Sequence, residues 1–484
     1  MNSFLDKDIK YFKLFISFIF VFWLLYHLIT ISLSPLPNMD EIFFANISDQ
    51  LNKFNSLTLQ LSSLPGEKSV PILHYGPIYF YLQSFFISNF GLNIVSVRCL
   101  SFVSGVIILL GLTYYFFKKI KYPFLVLLFF CVCATDMKFN AGLHSGRMDL
   151  LTILFFYSSI YFFVFYKNYF ISIFSGILLA AAFLTSPRVV FYFPIFFILF
   201  YYDYINHNKI LKKYFIVVIV FLILVLSWIF CTFHSLSRYF DYLLNAKSLI
   251  GSPTSLLKSH FGANDIYFYI QNPAFLFYFV SIIFLFLKRN FSLSILFPFF
   301  LILLHCIFIQ ERGPYSSMIV PVVYMCLIYN CVLISESFNS VKIFMFIFLP
   351  LIINFIIFST KAIFIFSDLS SRRTDYVINN LSSHNLANKK ILSGFKYYFI
   401  VNEINGLFYS YDLLFEKITE RNIREFDYAI IDENSFLLFS EKYKKSFKKI
   451  YPLKLRNGST NEFKKLIGKK FNIYVDYDGY LIQL

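Results

Sequence analysis

About eleven apolar runs, each close to the length of a membrane-spanning helix, are the feature that most constrains this chain. A bilayer has a hydrocarbon core about 30 Å thick, so a spanning helix needs about 20 apolar residues. The runs lie near residues 11–33, 94–117, 122–137, 149–166, 170–186, 189–205, 214–233, 272–288, 291–309, 315–335 and 342–362. They predict a polytopic α-helical membrane protein with about 11 transmembrane helices.

The composition excludes the main soluble classes. Of the 484 residues, 58% are hydrophobic and 14% are charged, against about 25% charged in an ordinary soluble domain. A soluble enzyme could not hide so much apolar surface behind so few charges. A disordered chain would be less hydrophobic and more charged, and a small disulfide-stapled domain would be much richer in cysteine. The net charge of +16 fits the basic ends of membrane spans better than nucleic-acid binding.

The charges between the runs orient the chain. With the N-terminus inside, the inner segments hold thirteen Lys and Arg against four acids, and nine of the thirteen acids before residue 363 lie outside. Because Lys and Arg favour cytoplasmic loops, this predicts a cytoplasmic N-terminus. The long loops at about 34–93 and 234–271 are then extracytoplasmic. We expect a bacterial inner (plasma) membrane protein whose first run is retained as a helix.

The composition changes after the last run. Residues 1–362 form the predicted transmembrane domain, whereas residues 363–484 are polar. Residues 426–432 read as a buried strand, and residues 472–482 as a hairpin turned by Asp478-Gly479. We expect a small C-terminal α/β domain, extracytoplasmic if eleven spans precede it.

Ionisable and aromatic residues gather on the predicted outer side of the membrane. The segments are Asp40-Glu41 after a proline-rich helix exit, His74-Tyr75-Gly76-Pro77 with aromatics beyond, Gly146-Arg147-Met148-Asp149, Ser186-Pro187-Arg188, and Arg312-Gly313-Pro314-Tyr315. Ionisable residues at a membrane mouth are by default a functional hypothesis. Nucleotide-binding phosphate loops and serine-nucleophile elbows do not occur in the sequence.

Four of these segments, in this order and spacing, resemble the GT-C superfamily of polyprenyl-phosphate-sugar-dependent glycosyltransferases. The resemblance extends to the protein O-mannosyltransferase-like and lipid A aminoarabinose transferase-like families. It covers roughly residues 10–365 and rests on Asp40-Glu41, His74 to Phe80, Gly146 to Thr152, and Arg312 to Tyr315 with Pro321. The aminoarabinose transferases carry Glu-Lys-Pro where this chain has His74-Tyr75-Gly76-Pro77, so a lysine that would bind lipid phosphate is absent.

The resemblance implies a membrane glycosyltransferase that moves a sugar from a polyprenyl-phosphate donor to an envelope lipid, glycan or protein. Asp40 is the candidate general base, with Glu41 and Asp149 in supporting catalytic roles. Donor phosphate would be bound by Arg147, Arg188, Arg312 and Tyr315, because a guanidinium binds phosphate in a bidentate way.

Structural roles compete with each assignment. Asp40 is equally suited to cap the following helix. Arg147 and Asp149 suit an interfacial ion pair, and Arg188 and Arg312 suit snorkelling to the interface.

Two further questions stay open from the sequence. His74 could bind a divalent metal together with Asp40, although a lone histidine is more often simply hydrogen-bonded. A lipid-linked sugar flippase or polysaccharide polymerase, and a non-catalytic subunit of an envelope complex, are the alternative functions. A flippase would place charged residues inside its helices, where this chain has few.

Overall fold

The structure is a computed structural model. It describes residues 2–61, 63–73, 75–119, 122–166, 168–196, 211–250, 272–287, 299–301, 304, 317–338, 345–367, 372, 374–414, 417–453, 477 and 479–484.

Helices make up most of the described residues up to Ser367, and most of these helices coincide with the predicted apolar runs. They are α1 (Asn2–Thr30), α2 (Met39–Phe54), α3 (Ile78–Phe90), α4 (Ile94–Lys119), α5 (Pro123–Thr135), α6 (Met137–Leu143), α7 (Asp149–Phe165), α8 (Tyr169–Thr185), α9 (Leu211–Phe233), α10 (Leu236–Ile250), α11 (Pro273–Leu287), α12 (Val320–Phe338) and α13 (Met345–Ser367). A 3-10 helix, Pro187–Tyr192, follows α8. Buried aromatic and aliphatic side chains from these helices form one large core cluster.

Three of the described helices are long and apolar enough to cross a membrane: Ile94–Lys118, Lys212–Phe233 and Phe348–Ser367. Several other apolar helices are shorter, with 10–17 residues. The predicted run at 291–309 lies almost wholly outside the described residues. The number of spans therefore stays a prediction.

The run predicted at 122–137 corresponds to α5, and a second short helix, α6, begins at its last residue. The axes of α5 and α6 differ by 64°, and together they pass as one bent span. The break falls at Asp136, whose carboxylate accepts hydrogen bonds from the amides of Lys138 and Phe139 at 2.8 and 2.9 Å and so caps α6. The Tyr324 hydroxyl donates to the other oxygen at 3.0 Å. A buried carboxylate with three donors stabilises a helix start here, which apolar run length alone does not reveal.

The described residues of the first long loop, 34–93, fold into a layer on one end of the helix bundle, which we name the outer layer. It contains α2, a short antiparallel pair of strands, β1 (Thr58–Leu59) and β2 (Val70–Pro71), and α3. The Ser48 hydroxyl on α2 donates to Gln83 on α3 at 2.7 Å, and both side chains are buried. Hydrogen-bonded polar groups thus fix the two helices against each other, since burying them unpaired would cost free energy.

The C-terminal part contains a five-stranded sheet. Its strands are β3 (Lys390–Ser393), β4 (Leu407–Ser410), β5 (Tyr428–Asp432), β6 (Lys449–Leu453) and β7 (Gly479–Gln483), and its helices are α14 (Thr374–Ser382), α15 (Tyr398–Glu403), α16 (Tyr411–Leu414) and α17 (Glu433–Tyr443). The strand order is β4-β3-β5-β7-β6. The first three strands are parallel, and β7 is antiparallel to both its neighbours.

The strand at residues 428–432 agrees with the sequence pattern. The hairpin predicted at residues 472–482 does not account for the pairing partners of β7. This strand begins at Gly479 and pairs with β5 and β6, whereas residues 472–476 lie outside the described part of the chain. The position of β7 is thus set by pairing with strands that are distant in the sequence. The Asp478-Gly479 turn signal is local and could not predict this pairing.

One hydrophobic cluster joins the first long loop to the C-terminal sheet. It includes Ile42 of α2 and Tyr79 of α3 together with Tyr398 and Val401 of α15. The last apolar helix continues to Ser367, slightly beyond the predicted domain boundary at residue 362. Because of this shared cluster, the sheet is packed against the outer layer.

Candidate active site

Two loops meet at the end of the bundle that carries α2. One joins α1 to α2, and the other joins α6 to α7. Arg147 on the second loop forms ion pairs with Asp40 in the first turn of α2 and with Asp149 at the start of α7, the latter at 2.8 Å between Nε and Oδ2. Asp149 and Arg147 are almost completely buried, whereas the side chain of Asp40 is 53% exposed. Of these three groups, only the Asp40 carboxylate faces outward.

Asp40 does not cap its helix. Asn38 does so, because its Oδ1 accepts the Glu41 amide at 2.9 Å. The competing structural role for Asp40, that of helix cap, is therefore taken by Asn38. For Arg147 and Asp149 the ion pair expected on structural grounds is present, but it is shared with Asp40.

Glu41 lies on the opposite, buried side of the helix start. Its carboxylate binds the guanidinium of Arg98 on α4 in a bidentate way, at 2.6 Å from Nε and 3.0 Å from Nη2. Both side chains are fully buried. The Gly146 amide donates a third hydrogen bond to Oε1 at 3.0 Å. A buried charge needs such complete pairing because desolvation is costly.

Gly146 is required by this close approach. A Cβ on Gly146 would lie 2.9 Å from Cγ of Glu41, too close for any real side chain. The glycine lets the α6–α7 loop come close enough for its amide to reach the carboxylate. Arg147 follows directly and is thereby brought to Asp40.

Buried side chains also hold the backbone of the α1–α2 connection, through its carbonyl oxygens. The contacts are Arg98 Nη1 to Ile31 at 2.6 Å, Arg98 Nη2 to Pro35 at 2.9 Å, His144 Nδ1 to Ser34 at 2.9 Å, and Arg372 Nη1 to Leu33 at 3.1 Å. The segment that leads to Asp40 is thus bound at four successive places.

A second pair of segments comes together beside α3. Gly76 lies directly on the backbone of Leu184 near the end of α8, where a Cβ would overlap the Leu184 carbonyl group. Arg188 follows within one turn and is half-buried. The phenol of Tyr242 on α10 holds the chain just before this contact, accepting from the Leu73 amide at 2.8 Å and donating to the Pro71 carbonyl at 3.0 Å.

Comparison with known proteins finds similarity in structure alone. No family profile matches the sequence, and no curated protein matches it. ArnT from Cupriavidus metallidurans in the apo state is similar with a TM-score of 0.58 at 11% identity, over 98% of both chains. The same protein bound to undecaprenyl phosphate gives a TM-score of 0.56 at 11% identity, over 97% of both chains.

A second protein shares the architecture over a smaller part of its own length. It is the archaeal oligosaccharyltransferase AglB from Archaeoglobus fulgidus, in complex with an inhibitory peptide and a dolichol-phosphate. Its TM-score is 0.53 at 10% identity, over 87% of this chain and 70% of that one. The protein therefore shares the fold of these two proteins. The resemblance noted in the sequence motifs is thereby confirmed at the level of fold.

Not all of the predicted site residues can be placed in the structure. His74, Arg312 and Tyr315 lie outside the described residues. Ser317, two residues after Tyr315, is buried against Gly142 at the end of α6. The chain that follows the Arg312 segment thus returns to the same end of the bundle as Asp40 and Arg147.

Two phenols lie close to the buried pair of Glu41 and Arg98. Burial raises the pKa of Tyr79 well above its usual value, and the charge of Glu41 raises this pKa further. Burial likewise raises the pKa of Tyr477, which precedes β7, to about 12. Both phenols stay protonated at neutral pH and add no charge to the site.

The described residues do not fit a divalent metal. Among them no group of three His, Cys, Asp or Glu side chains is placed to hold one. The guanidinium of Arg147 already bridges Asp40 and Asp149, in the position where a cation shared by the two carboxylates would lie.

The sequence patterns missed Arg98, Asn38 and His144. Arg98 was hidden in the apolar run 94–117, although a lone charge inside such a run is itself a signal that a partner is needed. Asn38 stands two residues before Asp40, in the position of an N-cap. His144 had no visible signal, because its partners come from the distant α1 segment.

Proposed function

We propose that the protein is an integral membrane glycosyltransferase that moves a sugar from a polyprenyl-phosphate donor to an envelope acceptor, a lipid A, glycan or protein, on the extracytoplasmic face. The observation that carries this proposal is the exposed Asp40 carboxylate, which Arg147 holds beside Asp149 at the mouth of the bundle. The GT-C fold supports it, because solved neighbours are described with undecaprenyl phosphate and with dolichol-phosphate.

Asp40 acts as the general base. Its exposed carboxylate can reach an acceptor hydroxyl or amine, whereas Glu41 is fully buried and Asp149 nearly so. The acceptor oxygen or nitrogen attacks the anomeric carbon and gives its proton to Asp40. The bond between that carbon and the phosphate oxygen breaks, and polyprenyl phosphate leaves. Proton transfer to a positioned base contributes about 10²- to 10⁴-fold to such rates.

Cationic side chains stabilise the leaving phosphate. Arg147 lies next to the base, and Arg188 follows the contact between Gly76 and Leu184. Arg312 and Tyr315 are assigned to the same role from the sequence alone. Guanidinium groups bind phosphate oxygens with charge-assisted hydrogen bonds, which strengthen as negative charge develops on the leaving group.

Glu41 and Asp149 position the other groups. Glu41 joins α2 to α4 through Arg98 and to the α6–α7 loop through Gly146. Asp149 orients the guanidinium of Arg147 by accepting a hydrogen bond from Nε, while Nη1 pairs with Asp40. A divalent metal at Asp40 and His74 stays a prediction from the sequence and has no part in this scheme.

Transfer by the purified protein tests the proposal. The protein in detergent or nanodiscs is given a defined polyprenyl-phosphate sugar and a candidate acceptor, with no other protein present. We expect glycosylated acceptor and free polyprenyl phosphate in equal amounts by mass spectrometry. Movement of the donor across the bilayer without product would favour a flippase. If neither transfer nor movement across the bilayer is detected with any donor, a non-catalytic subunit would be favoured.

The donor sugar and the acceptor can be identified in cells. Deletion of the coding sequence should remove one sugar from the envelope lipids, glycans or proteins, as measured by mass spectrometry. Restoring the wild-type chain should return that sugar, whereas a chain with Asp40→Asn should not. A deletion strain with an unchanged envelope would contradict the proposed role.

A further inference from the structure

Two histidines are buried directly beneath the proposed site. His27, in the last turn of α1, is 0% exposed, and His144, in the turn after α6, is 7% exposed. Their rings meet edge to face with centroids 4.8 Å apart. His27 Nδ1 lies 2.8 Å from His144 Nε2, and His144 Nδ1 lies 2.9 Å from the Ser34 carbonyl oxygen.

The carbonyl group fixes the proton positions in this chain of hydrogen bonds. A carbonyl oxygen can only accept, so His144 carries its proton on Nδ1 and donates it to Ser34. In the neutral ring, Nε2 of His144 is then an acceptor and must receive the proton on Nδ1 of His27. His27 thereby selects the tautomer of His144 that binds the Ser34 carbonyl.

The bond from His144 to Ser34 is one of three contacts between the α6–α7 loop and the segment 34–41, which includes the first turn of α2. The second joins the Gly146 amide to Glu41, and the third joins Arg147 to Asp40. The three contacts follow one another from the buried base of the site to its exposed mouth. Displacement at the base therefore changes how Asp40 and Arg147 face each other.

Other groups hold the same segment but from different elements. Arg98 reaches it from α4, and Arg372 from beyond α13. Among the described residues, His144 joins this segment directly to the α6–α7 loop, which carries Arg147. Neither histidine is exposed enough to touch a substrate, so any effect on transfer must pass through the backbone.

We propose that His144 is a positioning residue for the general base, and that it sets the distance between Asp40 and Arg147 through its hydrogen bond to the Ser34 carbonyl, with His27 holding its tautomer. This inference rests on the proposed function of Asp40. It adds two residues to the site that no sequence motif marks.

Replacements of His144 separate a positioning role from simple packing. An asparagine places its amide nitrogen about where the imidazole carries Nδ1, so His144→Asn keeps the donor to Ser34. His144→Gln places the nitrogen at the Nε2 position, and His144→Ala removes both. Asn330→Ala is the matched control, since Asn330 is also buried and donates a 3.0 Å hydrogen bond to Ser281 on another helix.

Two measurements are made on the full-length protein in nanodiscs. Steady-state transfer gives kcat and KM for the donor, and hydrogen–deuterium exchange reports the amides of residues 31–41. For His144→Ala and His144→Gln we expect kcat to fall about 100-fold, because misplacing a catalytic group by about 1 Å has effects of that size. KM should stay within about threefold, since donor binding is unchanged. Exchange in residues 31–41 should become faster.

The two remaining variants provide the contrast. His144→Asn should keep kcat within about fivefold of the wild type, and Asn330→Ala should change neither kcat nor exchange in residues 31–41. The proposal is overturned if His144→Ala keeps the wild-type kcat, if its kcat falls without faster exchange in this segment, or if His144→Asn is as impaired as His144→Ala. If the wild-type chain transfers no sugar at all, the proposed function fails, and unchanged exchange in His144→Ala would overturn the positioning role independently.

Discussion

Asp40 and Glu41 are adjacent acids with opposite surroundings. Asp40 is half-exposed at the mouth beside Arg147, whereas Glu41 is fully buried against Arg98. Consecutive residues on a helix point about 100° apart, so one side chain can face the solvent and the other the core. The two acids therefore have different roles. Asp40 is available for proton transfer, and Glu41 holds in place the helix that carries Asp40.

Removing the charge of Glu41 should destabilise the protein strongly. Glu41→Gln leaves Arg98 as a buried cation without its carboxylate, and breaking such a pair costs about 3–5 kcal/mol. We expect a clear fall in the apparent Tm in detergent, followed by intrinsic fluorescence. Glu67→Gln is the control, because Glu67 accepts a hydrogen bond at an exposed turn.

The double variant Glu41→Leu with Arg98→Met distinguishes charge from packing. It leaves no uncompensated buried charge, so its Tm should lie above that of Glu41→Gln. A double variant less stable than Glu41→Gln would show that the pair matters for its hydrogen bonds to the backbone rather than for charge balance.

Chelation tests whether Arg147 or a metal supplies the cation between Asp40 and Asp149. With the guanidinium in that place, transfer should persist after the purified protein is treated with EDTA. Activity that disappears with EDTA and returns with one divalent cation would instead support the metal site predicted at Asp40 and His74. Arg147→Lys should impair transfer in the first case, because lysine cannot bridge two carboxylates with a planar group.

The sequence predicted part of this site at residue level. The motifs placed Asp40, Arg147 and Asp149 on one side of the membrane, and the structure brings them into contact. Arg98 and His144 could not be assigned in the same way, since each acts on backbone carbonyls contributed by a distant segment. Backbone groups carry no sequence signal, so their partners become visible only in three dimensions.

At the scale of elements, apolar run length predicts where helices are better than where they break. The run predicted at 149–166 is α7, Asp149–Phe165, with nearly the same bounds. The run 122–137 ends where Asp136 caps α6, a short helix that the run did not predict. A charged residue near the end of an apolar run marks either the membrane boundary or a break, and only its partners distinguish the two.

The contact of Gly76 with α8 gives an element-scale prediction. Gly76→Ala should push the segment before α3 away from the Leu184 carbonyl. We expect a lower Tm and, because Arg188 follows this contact, a higher KM for the donor. Gly111→Ala on α4 is the matched control, as a Cβ there meets no atom within 4 Å. Alanine should even stabilise that helix by up to about 1 kcal/mol. Equal effects of the two substitutions would contradict the packing argument.

At the scale of the whole molecule, the C-terminal sheet and the outer layer share one core. Ile42 and Tyr79 from the layer pack in the same cluster as Tyr398 and Val401 from α15. The change of composition after residue 362 predicted a separate domain but not this shared core. Such contacts join residues more than 300 positions apart, so no local pattern reports them.

Removing the C-terminal part should therefore disturb the site itself. A chain that lacks residues 374–484 exposes the cluster around Ile42 and Tyr79, and the loop at 34–93 should lose its protection. We expect faster trypsin cleavage at Lys53 and Lys68 in nanodiscs, together with loss of transfer. Unchanged cleavage at both sites would show that the outer layer folds without the sheet.

We propose that this chain transfers a sugar with Asp40 as its general base. Single-turnover transfer from a defined polyprenyl-phosphate sugar, measured for the wild type, Asp40→Asn and Asp40→Ala, tests it most directly. Asp241→Asn is the control, since Asp241 is an exposed carboxylate on α10. We predict that both Asp40 variants insert normally and transfer at least about 100-fold more slowly, while the control matches the wild type. Wild-type transfer rates in both Asp40 variants would contradict the account.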